Sequence, residues 1–173
     1  MANARRILLI LMSLLAAALS VGCQQKSGSA NENASRLEVP TAETLGEQTI
    51  VSNAEHLVSS EFSTTDSAWG ERLAMQCRAC HSLDSGGGAM MGPALFGFFG
   101  RGAGSLNGFS FSQALAESDF IWTPRALDAW LRQPAGFLPG NRMMYAGLSK
   151  ADDRRAVIAY LLKVTDDTGE EIE

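Results

Sequence analysis

Helical spacing recurs in three places along this chain, and no alternating strand pattern of any length accompanies it. Trp69, Leu73 and Gln76 fall at helical spacing behind Asp66 or Ser67, either of which can cap. The helix they predict runs into Cys77. In "TPRALDAWLRQP", Thr123 can cap, Pro124 suits the first turn, Leu127, Trp130 and Leu131 share one face, and Pro134 stops the helix. In "SKADDRRAVIAYLLKV", Ser149 with Asp152 makes a capping-box-like start, and Val157, Tyr160, Leu161 and Val164 mark a buried stripe. Much of the glycine lies between Gly86 and Gly108, which predicts a loop-rich middle. No internal repeat is present. The pattern predicts an all-α domain over residues 66–168 with long loops, followed by a short acidic tail at 169–173.

The first 65 residues read differently. Arg5 and Arg6 precede an apolar run from Ile7 to Val21. That run falls short of the roughly 20 apolar residues a membrane helix needs. A charged start, a short apolar stretch and small residues before a break describe an export signal over residues 1–22. The break itself, "LSVGC", resembles a bacterial lipoprotein cleavage site, with Ser20 where Leu is more usual. That resemblance implies that Cys23 becomes the first residue and carries lipid, on the periplasmic side of a bacterial membrane. Residues 24–65 are rich in Ser, Asn, Glu, Gln and Thr, with apolar residues singly or in pairs. Such a stretch buries too little surface to offset its ordering entropy, so residues 23–65 are expected to be a flexible tether. Its end-to-end distance would be about 35 Å. His56 falls in this stretch and is expected to be a solvated loop residue.

Composition adds constraints. Hydrophobic residues make up 46% of the 173 and charged residues 19%, which permits a packed core. The formal net charge is −5, and removal of the export signal, which has two arginines and no acid, makes it more negative by two. Nothing resembles a nucleic-acid footprint. With Cys23 acylated, only Cys77 and Cys80 remain of the three cysteines.

Those two cysteines stand in "CRACH", residues 77–81. A thioredoxin-type dithiol wants a helix start after a strand in an α/β fold, and no strands are predicted. A structural zinc site wants four ligands, and Cys77, Cys80 and His81 supply three. The remaining reading is covalent haem attachment, with both thiols joined to the porphyrin edge and His81 on the iron. A soft thioether at the sixth position would favour the ferrous state. Met75 is too close to His81 to reach the opposite face, and Met90 and Met91 follow it in a Gly-rich loop. Met143 and Met144 come after the second helix, far enough along the chain to reach across.

The order of motifs over residues 69–164 resembles class I cytochrome c. "CRACH" matches the attachment site, "GPALFG" looks like the family's G-P-x-L-x-G loop, and "PGNRMMYAGL" is similar to its P-G-x-x-M segment. The resemblance implies a cytochrome c fold, three main helices wrapped with long loops round one covalent haem c. It implies that the Pro93 carbonyl orients His81, that Met143 rather than Met144 is the sixth ligand, and that Arg101 and Trp122 neighbour the haem propionates. It also implies that the terminal helices cross near Gly70, admitting Tyr160. Phe111 stands where many relatives have a propionate-binding tyrosine, and Trp130 where a tyrosine is frequent. Trp130, on the apolar face with Leu127 and Leu131, is expected to be core.

A haem with His81 and Met143 as axial ligands needs neither a substrate pocket nor acid–base residues, and no such residues are evident in the domain. The expectation is therefore a membrane-tethered electron carrier rather than an enzyme, exchanging electrons with donor and acceptor proteins of an exported respiratory or other redox chain. The alternatives are a haem subunit of a larger oxidoreductase and a haem enzyme that reacts with peroxide or another small ligand.

Overall fold

A computed structural model describes residues 40–168. The expected export signal, Cys23 and the acidic tail lie outside the described residues. The helices, in chain order, are α1 (Asn53–Val58), α2 (Ser67–Arg78), α3 (Gln113–Ala116), α4 (Pro124–Arg132), α5 (Pro134–Phe137) and α6 (Ala151–Val164). The three long ones are those the sequence pattern predicts. Among the described residues, the rest of the chain runs in loops, with one isolated antiparallel bridge between Gly102 and Ile121.

Capping follows the sequence at two helices of three. The Asp66 carboxylate accepts from Trp69 N at 2.9 Å, and the Thr123 hydroxyl accepts from Ala126 N at 3.2 Å with Pro124 in the first turn. The capping box expected at α6 does not form. Lys150 occupies the cap position without a side-chain bond, and Asp152 turns instead to Arg155 at 2.8 Å. Asp152 and Asp153 still place negative charge in the first turn, where the helix dipole favours it.

Helices α2 and α6 cross at Gly70. A Cβ there would overlap the Ala156 carbonyl and come within 3.0 Å of Tyr160 Cβ. The expected Tyr160 contact is present, and the main chain at Ala156 approaches still closer. This closeness decides which face of α2 is buried. Gly70 and Ala74 are inside, whereas Trp69 is 39% exposed on the rim. There its indole N–H donates to Asp153 and the Arg72 guanidinium lies 5.1 Å over its ring. The buried stripe is therefore one residue out of step with the Trp69–Leu73–Gln76 spacing, because only small residues fit at so tight a crossing. Helix α4 buries Leu127, Trp130 and Leu131 as predicted and packs on α6.

The tether expectation fails from residue 40 onward. Leu45 and Phe62 are buried in the common core, 1% and 3% exposed. Ala42 N donates to Phe137 O at 3.0 Å, and Asn53 Nδ2 donates to Leu162 O at 3.0 Å. The Thr123 hydroxyl donates to Gln48 Oε1 at 2.5 Å. Residues 40–65 thus form an ordered strap packed on the domain, ahead of Asp66. Its apolar residues stand singly or in pairs in the sequence, so no period betrays them. Leu45, Leu57 and Phe62 nonetheless pack against the core of the long helices, whereas Ile50 and Val58 stay exposed. His56 sits half-buried on α1, and burial lowers its pKa against the opposing pull of Glu61 and Glu55.

Candidate functional site

Cys77 lies in the last turn of α2, and the chain turns back on itself directly after it. Cys80 N and His81 N both donate to Cys77 O, at 3.0 and 2.9 Å. One carbonyl therefore gathers both cysteines and the histidine. Both thiols are free. Burial, with help from Cys80, pushes the Cys77 thiol up to about 11. A reactive redox dithiol requires the opposite shift.

The imidazole of His81 is fixed from behind. Its Nδ1–H donates to Pro93 O at 2.7 Å, as the resemblance implied. Backbone bonds hold Pro93 in place: Gly92 N to Cys80 O at 2.8 Å and Leu95 N to Ser82 O at 2.8 Å. Gly92 has to be glycine, because a Cβ would overlap the His81 ring. Burial lowers the pKa of His81, with the Pro93 bond opposing. The ring is therefore neutral at pH 7, with Nε2 carrying a free lone pair.

Of the five methionines weighed from sequence, four are exposed: Met75 63%, Met90 55%, Met91 74% and Met144 93%. Met143 alone is half-buried against the core. It stands in a loop closed by three side chains. Asn141 Oδ1 accepts from Met143 N at 2.9 Å, the Trp130 indole N–H meets Met143 Sδ at 3.1 Å, and Arg142 donates to Ser110 O. Arg154, buried on α6, holds the far end of the loop. It donates to Leu148 O and Ser149 O, each at 2.9 Å, and pairs with Asp128 at 2.8 Å.

Arg101 and Trp122 are brought together by main-chain bonds, Gly100 N to Trp122 O and Trp122 N to Arg101 O, both at 2.9 Å. The Arg101 guanidinium donates to Phe96 O at 2.7 Å and Gly97 O at 3.3 Å. Trp122 packs edge-on against Phe120 and Trp130. Phe111 meets Phe109 edge-on at 4.8 Å and offers no hydroxyl.

Cys77, Leu95, Phe99, Trp122, Met143 and Tyr145 are all half-buried along the margin of one core. The Tyr145 hydroxyl is buried there without a hydrogen-bond partner. Burial, and secondarily the Cys77 sulfur, push its pKa up to about 12. Two thiols, an imidazole with a free Nε2 and a thioether along an apolar margin suit a flat apolar macrocycle carrying a soft-to-borderline metal. Sequence reasoning missed three residues here. Trp130 is core, as expected, but it also donates to a sulfur. Asn141 and Arg154 gave only faint signals, an Asn just after Pro-Gly and an Arg inside an apolar stripe.

The profile of the family described as Cytochrome c matches residues 67–165. A cytochrome c of Chlamydomonas reinhardtii is 41% identical over 101 residues, covering 58% of this chain and 90% of the relative. A cytochrome c2 iso-2 of Magnetospirillum fulvum is 47% identical over 85 residues, covering 49% and 88%. A cytochrome c2 of Afifella marina is 40% identical over 97 residues, covering 54% and 78%. The strap at 40–65 precedes the matched region.

Proposed function

The chain belongs to the class I cytochrome c family, and on that premise we propose that it is an exported, membrane-tethered carrier in a respiratory or other redox chain. The coarser part stands on the family itself: the protein is a monohaem electron carrier with one covalent haem c. When bound, the haem iron supplies a one-electron couple. Cys77 and Cys80 would hold the haem through thioether bonds, and His81 Nε2 and Met143 Sδ would ligate its iron. Arg101 would supply positive charge beside the propionates and Trp122 an indole N–H. The observation that carries the reading is the 2.7 Å bond from His81 Nδ1 to Pro93 O. It leaves one ring nitrogen free on a histidine that directly follows two cysteines, and it makes that nitrogen a better donor.

The tether is read from Cys23 and the signal ahead of it. Lipid on Cys23 would keep the carrier at the periplasmic face, where its redox partners, a donor and an acceptor protein, would dock. Intact-mass measurement of the exported protein tests attachment. One added haem and two thiols closed to alkylation are expected, and alkylatable Cys77 and Cys80 in a folded product would overturn it. Cys23→Ala should move the protein from membranes to the soluble periplasmic fraction. Retention on high-salt-washed membranes would count against the lipid anchor.

A further inference from the structure

The strap at 40–65 lies ahead of the stretch that matches the family profile, yet it reaches the margin of the site. Gln48 is half-buried, and its Oε1 accepts from the Thr123 hydroxyl at 2.5 Å. That hydroxyl has a single proton. With the proton directed at Gln48, a lone pair faces the start of α4 and accepts from Ala126 N at 3.2 Å. Thr123 is 5% exposed, so without Gln48 it would be a buried donor lacking its partner. Two residues along, the Ile50 Cγ2 methyl lies over Gly100, 3.7 Å from where a Cβ would stand. Gly100 and Thr123 sit at the same end of a short clasp between two loops. Its bonds are Gly100 N to Trp122 O and Trp122 N to Arg101 O, both at 2.9 Å, and Ala103 N to Phe120 O at 2.8 Å. The strap is itself pinned on either side of this contact. Leu45 is buried and Ala42 N donates to Phe137 O, while Asn53, 8% exposed, donates to Leu162 O.

We infer that Gln48 and Ile50 are positioning residues: the strap holds shut the end of the clasp that carries Arg101 and Trp122, and so keeps the Arg101 charge fixed beside the haem propionates. The inference rests on Arg101 and Trp122 neighbouring those propionates. Two short paired segments are marginal alone in water and need cover. The strap supplies it at one end only, the end that bears the two functional side chains. A fixed cation offsets the negative charge of a propionate, which otherwise favours ferric iron. A cation free to swing into water is screened and offsets less. The closed clasp therefore favours the reduced carrier.

The test uses full-length holoprotein at fixed pH and ionic strength. Arg101→Gln is the reference and should itself lower the ratio of reduced to oxidised protein at a fixed poise. Gln48→Met keeps the length of the side chain and removes the acceptor. It should lower the same ratio roughly three- to tenfold, as one hydrogen bond implies. Tenfold corresponds to about 59 mV for a one-electron couple. Ile50→Ala should lower it roughly twofold, a smaller effect because Ile50 is 54% exposed. In the Arg101→Gln background, Gln48→Met should change the ratio less than half as much, since the two act through one clasp. Phe62→Leu loosens the strap beyond α1, should lower the unfolding midpoint and should leave the ratio unmoved. All variants should keep the weak red absorption band of sulfur–iron charge transfer, because Met143 is untouched. An unchanged ratio in Gln48→Met, an equal change in Phe62→Leu, full additivity with Arg101→Gln, or a lost red band in Gln48→Met overturns the inference. Should Gln48→Met fail to accumulate, an unchanged ratio in Ile50→Ala overturns it. A ratio unmoved by Arg101→Gln instead overturns the propionate assignment beneath it.

Discussion

Around His81 the chain is fastened main chain to main chain. Cys77 O gathers two amides, Cys80 O takes Gly92 N, Ser82 O takes Leu95 N, and Pro93 O takes the ring itself. Around Met143 the fastening is done chiefly by side chains. Trp130 reaches the sulfur, Asn141 its amide and Arg154 the carbonyls at the loop's end. The separations along the chain do not explain the contrast: His81 and Pro93 are 12 residues apart, Trp130 and Met143 13. The means of fastening does. A main-chain clamp demands Gly and Pro at fixed places and tolerates little change. A side-chain clamp spreads its strength over several residues and can be loosened by degrees.

The largest effect should come from removing the covalent half of the His81 side. Replacing both Cys77 and Cys80 by Ala should leave no haem on the denatured chain, checked by haem staining after denaturing electrophoresis. A stained band would break the contrast at its root.

Two glycines then set the sides against each other. Gly92→Ala drives a Cβ into the His81 ring, and the ring cannot move without leaving Pro93. Overpacking of this kind costs about 1–3 kcal/mol. Gly147→Ala drives a Cβ into the Arg132 carbonyl at a φ of +102°, adding about 1–2 kcal/mol for the unfavourable backbone conformation. Both should lower the denaturant midpoint. Gly147→Ala should also lose the red band while keeping the haem, whereas Gly92→Ala should disturb the histidine ligation.

Arg154→Met comes next. It strips two carbonyls of their donor and leaves Asp128 unpaired, though Asp128 is 44% exposed and can hydrate. A loss of about 1–3 kcal/mol is expected. Imidazole should then enter the Met143 side more readily, with His81 unaffected.

Tyr145→Phe should have the smallest effect. The folded protein holds the Tyr145 proton more tightly than the unfolded chain does, about 12 against an ordinary 10. Folding stability should therefore fall as pH rises from 10 to about 12, and Tyr145→Phe should flatten that fall. Below pH 10 the variant should match or slightly exceed the parent in thermal unfolding, because a buried hydroxyl without a partner is removed.

The same contrast governs what could be read from the sequence. The all-α architecture, its three long helices and the turn bearing Cys77, Cys80 and His81 were legible, because period, caps and Gly-Pro punctuation are local. The Pro93 bond came through resemblance to a motif. Trp130 was legible as core but not as a donor, since an apolar face does not say where an indole N–H points. Asn141 and Arg154 escaped because most of their partners are main-chain groups, which carry no residue-type signal. The strap escaped for a related reason. Leu45 and Phe62 show no period of their own and gain their places only from the core beneath them.

A half-buried methionine, and not its exposed neighbour, is the one placed to face the iron. Met143 is half-buried and bonded at both its amide and its sulfur, whereas Met144 is 93% exposed. The direct measurement is the absorption spectrum of oxidised, full-length holoprotein carrying Met143→Ala or Met144→Ala. The red sulfur–iron band should vanish with Met143→Ala, haem still covalently bound, and persist with Met144→Ala. The reverse pattern, or a band that survives both substitutions, would contradict it.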